Sequence, residues 1–407
     1  MALGADSRFA RLSPRSARVA AVALAALFIA GLIAGRGRES YPANRDISPA
    51  TLNAEKTPDP IGHAEGPGAD LVLYKTMVEE VRSGSNYYDA AYLQLPEFGF
   101  PVGSMFNWRL PTYAWLGSLL PDGNWIQGVI VALTLSALLL AFAAERENLG
   151  FIRAALLIVL LVGVLRWCID GSAFYTMEVW AATLLTISVG AMGLRDRLRE
   201  GTAGEASSGC TAGQASSGTR VKELAWTGLS VGAGLAALFF RELTLPYCVA
   251  ACGVAFWHRR RGEACAWLAG IALFVLFLAW HGSQVAARLT PAEATSSRGP
   301  LEWMQLGGMN FVLMTARMNT FVYNAPGWLL FSYLFFSVLG LADSPRRHCE
   351  LLGIATLLFV GAFCIVGMDM NFYWGLLYAP FLPFGLVRAP QAIQCLWTRA
   401  YSIPSLR

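Results

Sequence analysis

Ten apolar stretches recur along this chain, and most of them approach the roughly 17–25 residues that a helix needs to cross a bilayer. They cover residues 17–35, 124–144, 151–167, 176–193, 224–240, 243–257, 264–285, 325–342, 351–368 and 373–388. Hydrophobic residues make up 55% of the 407 and charged residues only 14%. One water-soluble core could not bury that much apolar surface. The sequence therefore predicts an all-α, polytopic transmembrane helix bundle with about ten spans and an outer loop of short helices.

The basic residues between these stretches predict the orientation in the membrane. If the N-terminus lies in the cytoplasm, every inner segment carries Arg or Lys and the short outer turns carry almost none, as the positive-inside rule expects. More than half of the 31 Lys and Arg residues then lie inside: Arg8, Arg11, Arg15, Arg18, Arg146, Arg153, Arg195, Arg197, Arg199, Arg220, Lys222, Arg259, Arg260, Arg261, Arg346, Arg347, Arg388, Arg399 and Arg407. We predict a multi-pass integral membrane protein with both termini in the cytoplasm.

Charge and cysteine content narrow the function classes. The net charge of +4 is small and lies mostly in the inner loops, which favours contact with lipid headgroups and argues against a nucleic-acid partner. Of the 8 cysteines, all but Cys168 lie inside the spans or on the inner side. A disulfide framework or a CxxC metal site is therefore not predicted.

The polar segments divide the chain into six regions. We predict a membrane anchor at 1–35, an extracytoplasmic loop with amphipathic helices at 36–112 and membrane helices 2–4 at 113–194. A flexible cytoplasmic linker at 195–223, membrane helices 5–10 at 224–390 and a cytoplasmic tail at 391–407 follow. The first span could also be a cleaved signal peptide, and both alternatives place the next segment outside.

The outer loop changes character at Asp70. From there Leu71, Tyr74, Val78 and Val81 recur at helical spacing, with charged residues on the other face. This pattern is typical of an amphipathic helix at a membrane surface. A second short helix is predicted to begin near Asp89.

Charged residues that lie in or next to the apolar stretches all fall at one depth, on the outer side. They are Arg166, Asp170, Glu178, Arg241, Glu242, His281 and Asp369, with Asp70, Asp89 and Arg109 of the outer loop. Charges in a bundle are costly and usually functional. The alternative is that each only marks a helix end, where snorkelling and capping make charges cheap. In that alternative Asp70 and Asp89 are helix caps, and Arg109 anchors the loop at the interface.

Several arginines beside a few carboxylates suit a lipid-linked phosphate. Arginine makes bidentate, charge-assisted hydrogen bonds to phosphate, and a carboxylate can accept a proton from an incoming hydroxyl. Together these groups predict sugar transfer from a polyprenyl-phosphate donor to an extracytoplasmic acceptor. No cofactor signature occurs, although two or three converging acids would leave a divalent metal open.

Several short motifs resemble those of the membrane-embedded C-type glycosyltransferases, especially the mannosyl- and arabinofuranosyltransferase-like members that use polyprenyl-phosphate sugars. The motifs are Asp70-Leu71-Val72-Leu73-Tyr74, Gly84, Tyr87-Tyr88, Arg109-Leu110-Pro111, and Phe240-Arg241-Glu242 with Pro246. The resemblance implies a catalytic acid in the first outer loop, and Asp70 matches that position. The chain lacks a second acid beside the first and a large C-terminal outer domain.

These observations give each residue an expected role. Asp70 is the predicted catalytic base, and Arg109 and Arg241 are predicted to hold the donor phosphate. The other predicted substrate-binding residues, which orient the sugar or an arginine, are Tyr74, Asp89, Arg166, Asp170, Glu178 and Glu242. No metal ligand is assigned. The competing hypothesis is a lipid or small-molecule transporter or flippase without catalytic activity, and the sugar, the acceptor and the oligomeric state stay open.

Overall fold

Helices form all the regular structure in the computed structural model, which describes residues 7–36, 69–207, 217–296 and 303–401, and no strand occurs in those ranges. The α-helices are α1 (Pro14–Arg36), α2 (Ala69–Arg82), α3 (Tyr87–Glu97), α4 (Thr112–Ser118), α5 (Gly123–Leu149), α6 (Phe151–Leu165), α7 (Met177–Ser207), α8 (Ser217–Phe240), α9 (Leu245–Trp257), α10 (Arg261–Ala286), α11 (Pro291–Ser296), α12 (Gly308–Ala316), α13 (Gly327–Asp343), α14 (Arg347–Ile365), α15 (Leu382–Leu386) and α16 (Ala389–Tyr401). Short 3-10 helices lie at Phe9–Arg11, Arg166–Cys168, Ala173–Tyr175, Glu242–Thr244, Thr320–Val322, Asp369–Leu377 and Ala379–Phe381. The predicted all-α fold class is confirmed.

Seven helical segments of the described chain are long and apolar enough to cross a membrane. They are Pro14–Ile33, Gly123–Leu149, Phe151–Cys168, Met177–Glu200, Gly218–Phe240, Arg261–Ala286 and Arg347–Ile365, and two shorter apolar helices are Glu242–Trp257 and Gly327–Asp343. Together they account for every predicted span except residues 373–388.

The last predicted span is not one continuous α-helix. Residues 369–388, called here the broken crossing, fold as two successive 3-10 helices followed by α15. Pro380 and Pro383 lack the backbone N–H that an α-helix needs. Two glycines in the segment approach other backbone closely, since a Cβ on Gly375 would lie 1.9 Å from the Thr315 carbonyl oxygen and one on Gly385 would lie 1.8 Å from that of Ser337.

Contacts of the chain termini define two ends of the bundle. Arg8 pairs with Glu350 at 2.6 Å, and the Arg18 Nε donates to the Ala400 carbonyl at 2.7 Å, so α1 begins where α14 begins and α16 ends. We call this the terminal end, and we call the opposite end, which carries α2, α3 and α4, the loop end. That the terminal end faces the cytoplasm stays a prediction.

Helix α7 lies at the centre of the bundle and α1 at its edge. In the most apolar 18-residue stretch of each helix, 94% of the residues are buried in α7 and 6% in α1. Small residues allow the close packing of α7 on α5, since a Cβ on Gly193 would lie 2.8 Å from the Ala144 Cβ. The first turn of α7, which contains Glu178, is therefore enclosed at the loop end.

Both α7 and α8 extend into the region predicted as a flexible linker. Helix α7 continues to Ser207 and α8 begins at Ser217, and residues 208–216 lie outside the described ranges. Arg195 in this region is fully buried and pairs with Glu263 of α10 at 2.7 Å. Residues 37–68 of the predicted outer loop also lie outside the described ranges.

A buried carboxylate joins three parts of the chain at the terminal end. Glu145 of α5 lies 2.8 Å from the His348 Nε2 and accepts a hydrogen bond from the Arg388 Nη2 at 2.5 Å. All three side chains are buried. His348 lies at the start of α14 and Arg388 at the end of the broken crossing, so Glu145 fixes where both elements lie against α5.

Replacing Glu145 by Ala is expected to destabilise the protein by about 3–5 kcal/mol, because Arg388 would stay buried without an anionic partner. Glu147→Ala is the matched control: its side chain is 68% exposed and pairs with Arg197, and such a pair contributes about 0–1 kcal/mol. Unfolding in mixed detergent micelles measures both. Equal stability of the two variants would contradict the role given to Glu145.

Cysteines introduced at Ser83 and Ser13 test the orientation, because both serines are exposed and lie at opposite ends. In a background without native cysteines, we expect a membrane-impermeant thiol reagent to label Ser83→Cys in intact cells. Ser13→Cys should react only after permeabilisation, since the sequence places the basic terminal end inside. Labelling of Ser13→Cys alone in intact cells would reverse the predicted orientation.

Candidate active site

Asp70 lies at the loop end in the first turn of α2, where the helix dipole favours an anion. Because α2 begins at Ala69, Asp70 is inside the helix and is not the residue that caps it. Its carboxylate accepts a hydrogen bond from the Tyr373 hydroxyl at 3.0 Å. Asp70 is half-buried, so part of the residue stays accessible.

Tyr74, one turn further along α2, contacts Arg109. Its hydroxyl oxygen accepts a hydrogen bond from the Arg109 Nε at 2.9 Å. Burial raises the pKa of the Tyr74 phenol well above its usual range, with Arg109 opposing the shift and Asp70 adding to it. Tyr74 therefore stays neutral and presents Arg109 with a polar partner that carries no charge.

Arg109 occupies an unusual backbone conformation with φ of +59°. For a residue other than glycine this region is unfavourable and persists where neighbouring contacts impose it. The Tyr87 hydroxyl donates to the carbonyls of Trp108 and Arg109, and the Trp108 indole donates to the Val102 carbonyl at 2.8 Å. These contacts hold the turn, so the direction of the guanidinium is set by α3 and by the loop before it.

Arg241 lies deeper and is held by two carboxylates. Its Nε is 2.6 Å from Glu178 of α7, and its Nη1 is 2.6 Å from Glu242. The Trp374 ring covers the guanidinium at 5.6 Å, and Arg241 is fully buried. One cation between two anions leaves this group with a formal charge of −1 when all three are ionised.

The Asp70 and Arg241 groups belong to one site. The Tyr74 hydroxyl lies within electrostatic range of four charged side chains, those of Asp70, Arg109, Glu178 and Arg241. Within the described residues the site therefore combines an accessible carboxylate, an arginine with neutral partners and a buried arginine with two anionic partners.

Two cavities meet at Arg109. The larger is mostly apolar and is lined by Leu73, Tyr74, Met77, Tyr87, Ala91, Leu95, Asn107, Trp108, Arg109, Leu110, Tyr113, Ala114 and Met177. The smaller is lined by Met105, Phe106, Arg109, Leu110, Glu242, Leu278 and His281. A ligand whose anionic group lies at Arg109 would therefore be next to both cavities.

Three predicted site residues lie apart from this group. Asp89 is exposed and pairs with Arg288 at 2.7 Å, while Arg166 and Asp170 pair with each other at 2.7 Å in a partly exposed position. The structure thus places Tyr74, Glu178 and Glu242 with Asp70 and the two site arginines, and it does not bring Asp89, Arg166 or Asp170 to them. Asn86, which accepts from the Tyr88 N–H, is the cap of α3.

Sequence reasoning missed the contribution of the broken crossing. Tyr373 bonds Asp70 and the next residue, Trp374, covers Arg241. Both stood at the start of a predicted apolar span, where aromatic residues are typical of a membrane interface. Both follow Asp369 closely in the sequence, which places them at the same membrane depth as the predicted charged residues. This proximity could have indicated that they belong to the site.

Ligand atoms close enough to share a metal ion occur, in the described parts of the chain, at Glu145, His348 and Cys349. That group lies at the terminal end, and Arg388 already bonds Glu145. At the loop end, Glu178 and Glu242 converge on the guanidinium of Arg241.

No protein-family model matches this sequence, and no curated protein matches it. Two solved structures of ArnT from Cupriavidus metallidurans are similar in fold. The one bound to undecaprenyl phosphate has a TM-score of 0.49 and 13% identity, over 91% of this chain and 59% of that one. The apo state has a TM-score of 0.45 and 14% identity, over 91% and 60%. This chain therefore spans about 60% of the length of those structures.

Proposed function

We propose that this protein transfers a sugar from a polyprenyl-phosphate donor to an acceptor at the loop end of the bundle, with Asp70 as the general base. The observation that carries the proposal is that Asp70 lies within electrostatic range of Arg109, which is bonded to Tyr74 beside the two cavities. A base and an anion-binding group within one site are what this reaction needs.

Arg109 is the better candidate for the donor phosphate. Its Nε bonds the Tyr74 phenol and its Nη1 bonds the Phe106 carbonyl at 3.2 Å, so both partners are neutral. Among the residues described, none of the ion pairs within 4.0 Å includes Arg109, whereas Arg241 is in two. An arginine whose charge is not balanced by direct contact favours binding of a phosphate.

Arg241, predicted from the sequence as a second phosphate ligand, is assigned a different role. Its two anionic partners already compensate its charge, and it is fully buried. We assign it to hold Glu178 and Glu242 in position. Glu242 then faces the smaller cavity.

The two cavities suit the two parts of a lipid-linked sugar. Apolar side chains dominate the larger one, which would take the first units of a prenyl chain. Glu242 in the smaller one can hydrogen bond to a sugar hydroxyl. The phosphate between these parts would then lie at Arg109, which lines both cavities.

In the proposed reaction, Asp70 accepts the proton of the acceptor hydroxyl as that oxygen attacks the anomeric carbon of the sugar. The bond from this carbon to the phosphate oxygen breaks, and Arg109 stabilises the charge on the departing lipid phosphate. The Tyr373 and Tyr74 hydroxyls hold the base and the arginine in place.

The transporter alternative has less support from the distribution of charge. A conduit places ionisable groups near the middle of the membrane. The buried charged residues of the described chain lie near the helix ends instead, with Glu178 and Arg241 at the loop end and Glu145, Arg195 and Glu263 at the terminal end.

Asp70→Asn tests the base directly, because it keeps the shape of the side chain and removes its proton-accepting charge. We expect the transfer rate to fall by about 10²–10⁴-fold, with donor binding and melting temperature retained. Transfer from a radiolabelled polyprenyl-phosphate sugar in membranes measures the rate. Glu97→Gln, an exposed acid-to-amide change at the end of α3, is the control and should leave the rate unchanged. Full activity of Asp70→Asn would contradict the proposal.

Matched variants separate the roles of the two arginines. Arg109→Gln should weaken donor binding by about 10–100-fold at an unchanged melting temperature, because a charge-assisted contact to phosphate is lost. Arg241→Gln should instead destabilise the protein by about 3–5 kcal/mol, because two buried carboxylates lose their partner. Donor titration and thermal unfolding of both variants are the measurements. A loss of binding in Arg241→Gln alone, at full stability, would exchange the two assignments.

A further inference from the structure

The broken crossing places two neighbouring side chains on two different parts of the site. Tyr373 donates to Asp70 at 3.0 Å, and Trp374 lies over Arg241 at 5.6 Å. The backbone behind them is fixed, since Gly375 packs against the Thr315 carbonyl with no space for a Cβ. Tyr373 is thus presented to Asp70 by a segment that packs closely on α12.

We propose that Tyr373 is a positioning residue for the reaction, which holds the Asp70 carboxylate in the orientation that accepts a proton. The inference rests on the proposed function and adds a residue that the sequence motifs did not indicate. Tyr373 itself touches no reacting atom in this role.

The geometry supports this role in two ways. A hydroxyl that donates to one carboxylate oxygen leaves the second oxygen available to accept a proton. The bond also restricts rotation of a short side chain at the start of a helix, which keeps the base aligned with an incoming hydroxyl.

The groups around Asp70 come from four elements. Tyr74 lies on the same helix, Arg109 in the turn before α4, Tyr373 on the broken crossing, and Glu178 on α7 within electrostatic range of Tyr373. Arg109 is the cation of this set, and its charge persists in any Tyr373 variant. A change in rate on removing the Tyr373 hydroxyl alone can therefore be attributed to the lost hydrogen bond.

Tyr373→Phe removes that hydroxyl and retains the ring. We expect kcat to fall by roughly tenfold, with the KM for the donor unchanged, because the donor phosphate is held elsewhere. Transfer assays in membranes at several donor concentrations give kcat and KM.

Tyr378→Phe is the matched control. It lies on the same segment and also loses a buried hydroxyl, which contacts the Thr315 hydroxyl at 3.0 Å and the Val312 carbonyl at 3.2 Å, with Asp70 not among its partners. It should leave kcat and the KM for the donor unchanged. If both variants lose rate equally, Tyr373 is only structural and the inference fails.

A double variant separates this inference from the proposed function. Adding Tyr373→Phe to Asp70→Asn should cause no further loss of rate, because a residue that acts through Asp70 has nothing left to position. An additional tenfold loss would overturn the positioning role while leaving Asp70 as the base. Full activity of Asp70→Asn alone would instead overturn the proposed function itself.

Discussion

Charge buried away from water has to be neutralised within the protein, and in this bundle that requirement determines where the helices meet. At the terminal end Glu145 connects α5, α14 and the end of the broken crossing, and Arg195 connects α7 with α10. At the loop end Arg241 connects the end of α8 with the start of α7. Leaving one partner of such a contact buried and unpaired costs more free energy than the contact itself contributes. The ion pairs therefore act mainly to exclude other arrangements of the helices.

The same requirement separates two arginines that look alike in the sequence. Arg241 is enclosed by carboxylates, while Arg109 meets only a phenol and a carbonyl. Their surroundings, and not their residue type, give one a structural role and leave the other able to bind an anion. Strain at Arg109, with φ of +59°, is consistent with a side chain whose direction is imposed by its neighbours.

Much of the fold was predictable because apolar stretches of membrane length have few alternatives. The grouping of Asp70, Arg109, Glu178 and Arg241 followed from their common depth along the predicted spans. Depth alone could not reveal which charges pair, so Asp89, Arg166 and Asp170 were included although they pair elsewhere. Tyr373 and Trp374 were missed because an apolar span is read as a uniform helix, and the effect of Pro380 and Pro383 on its geometry depends on what packs around it.

The number of residues in the broken crossing is also constrained. Successive residues of a 3-10 helix are separated by about 120° around its axis, so neighbouring side chains face very different directions. Tyr373 and Trp374 use this to reach Asp70 and Arg241, while Gly375 anchors the register against Thr315. An insertion or deletion of one residue between Asp369 and Gly375 would rotate a different side chain toward the carboxylate. Among related chains, this stretch should therefore vary in composition long before it varies in length.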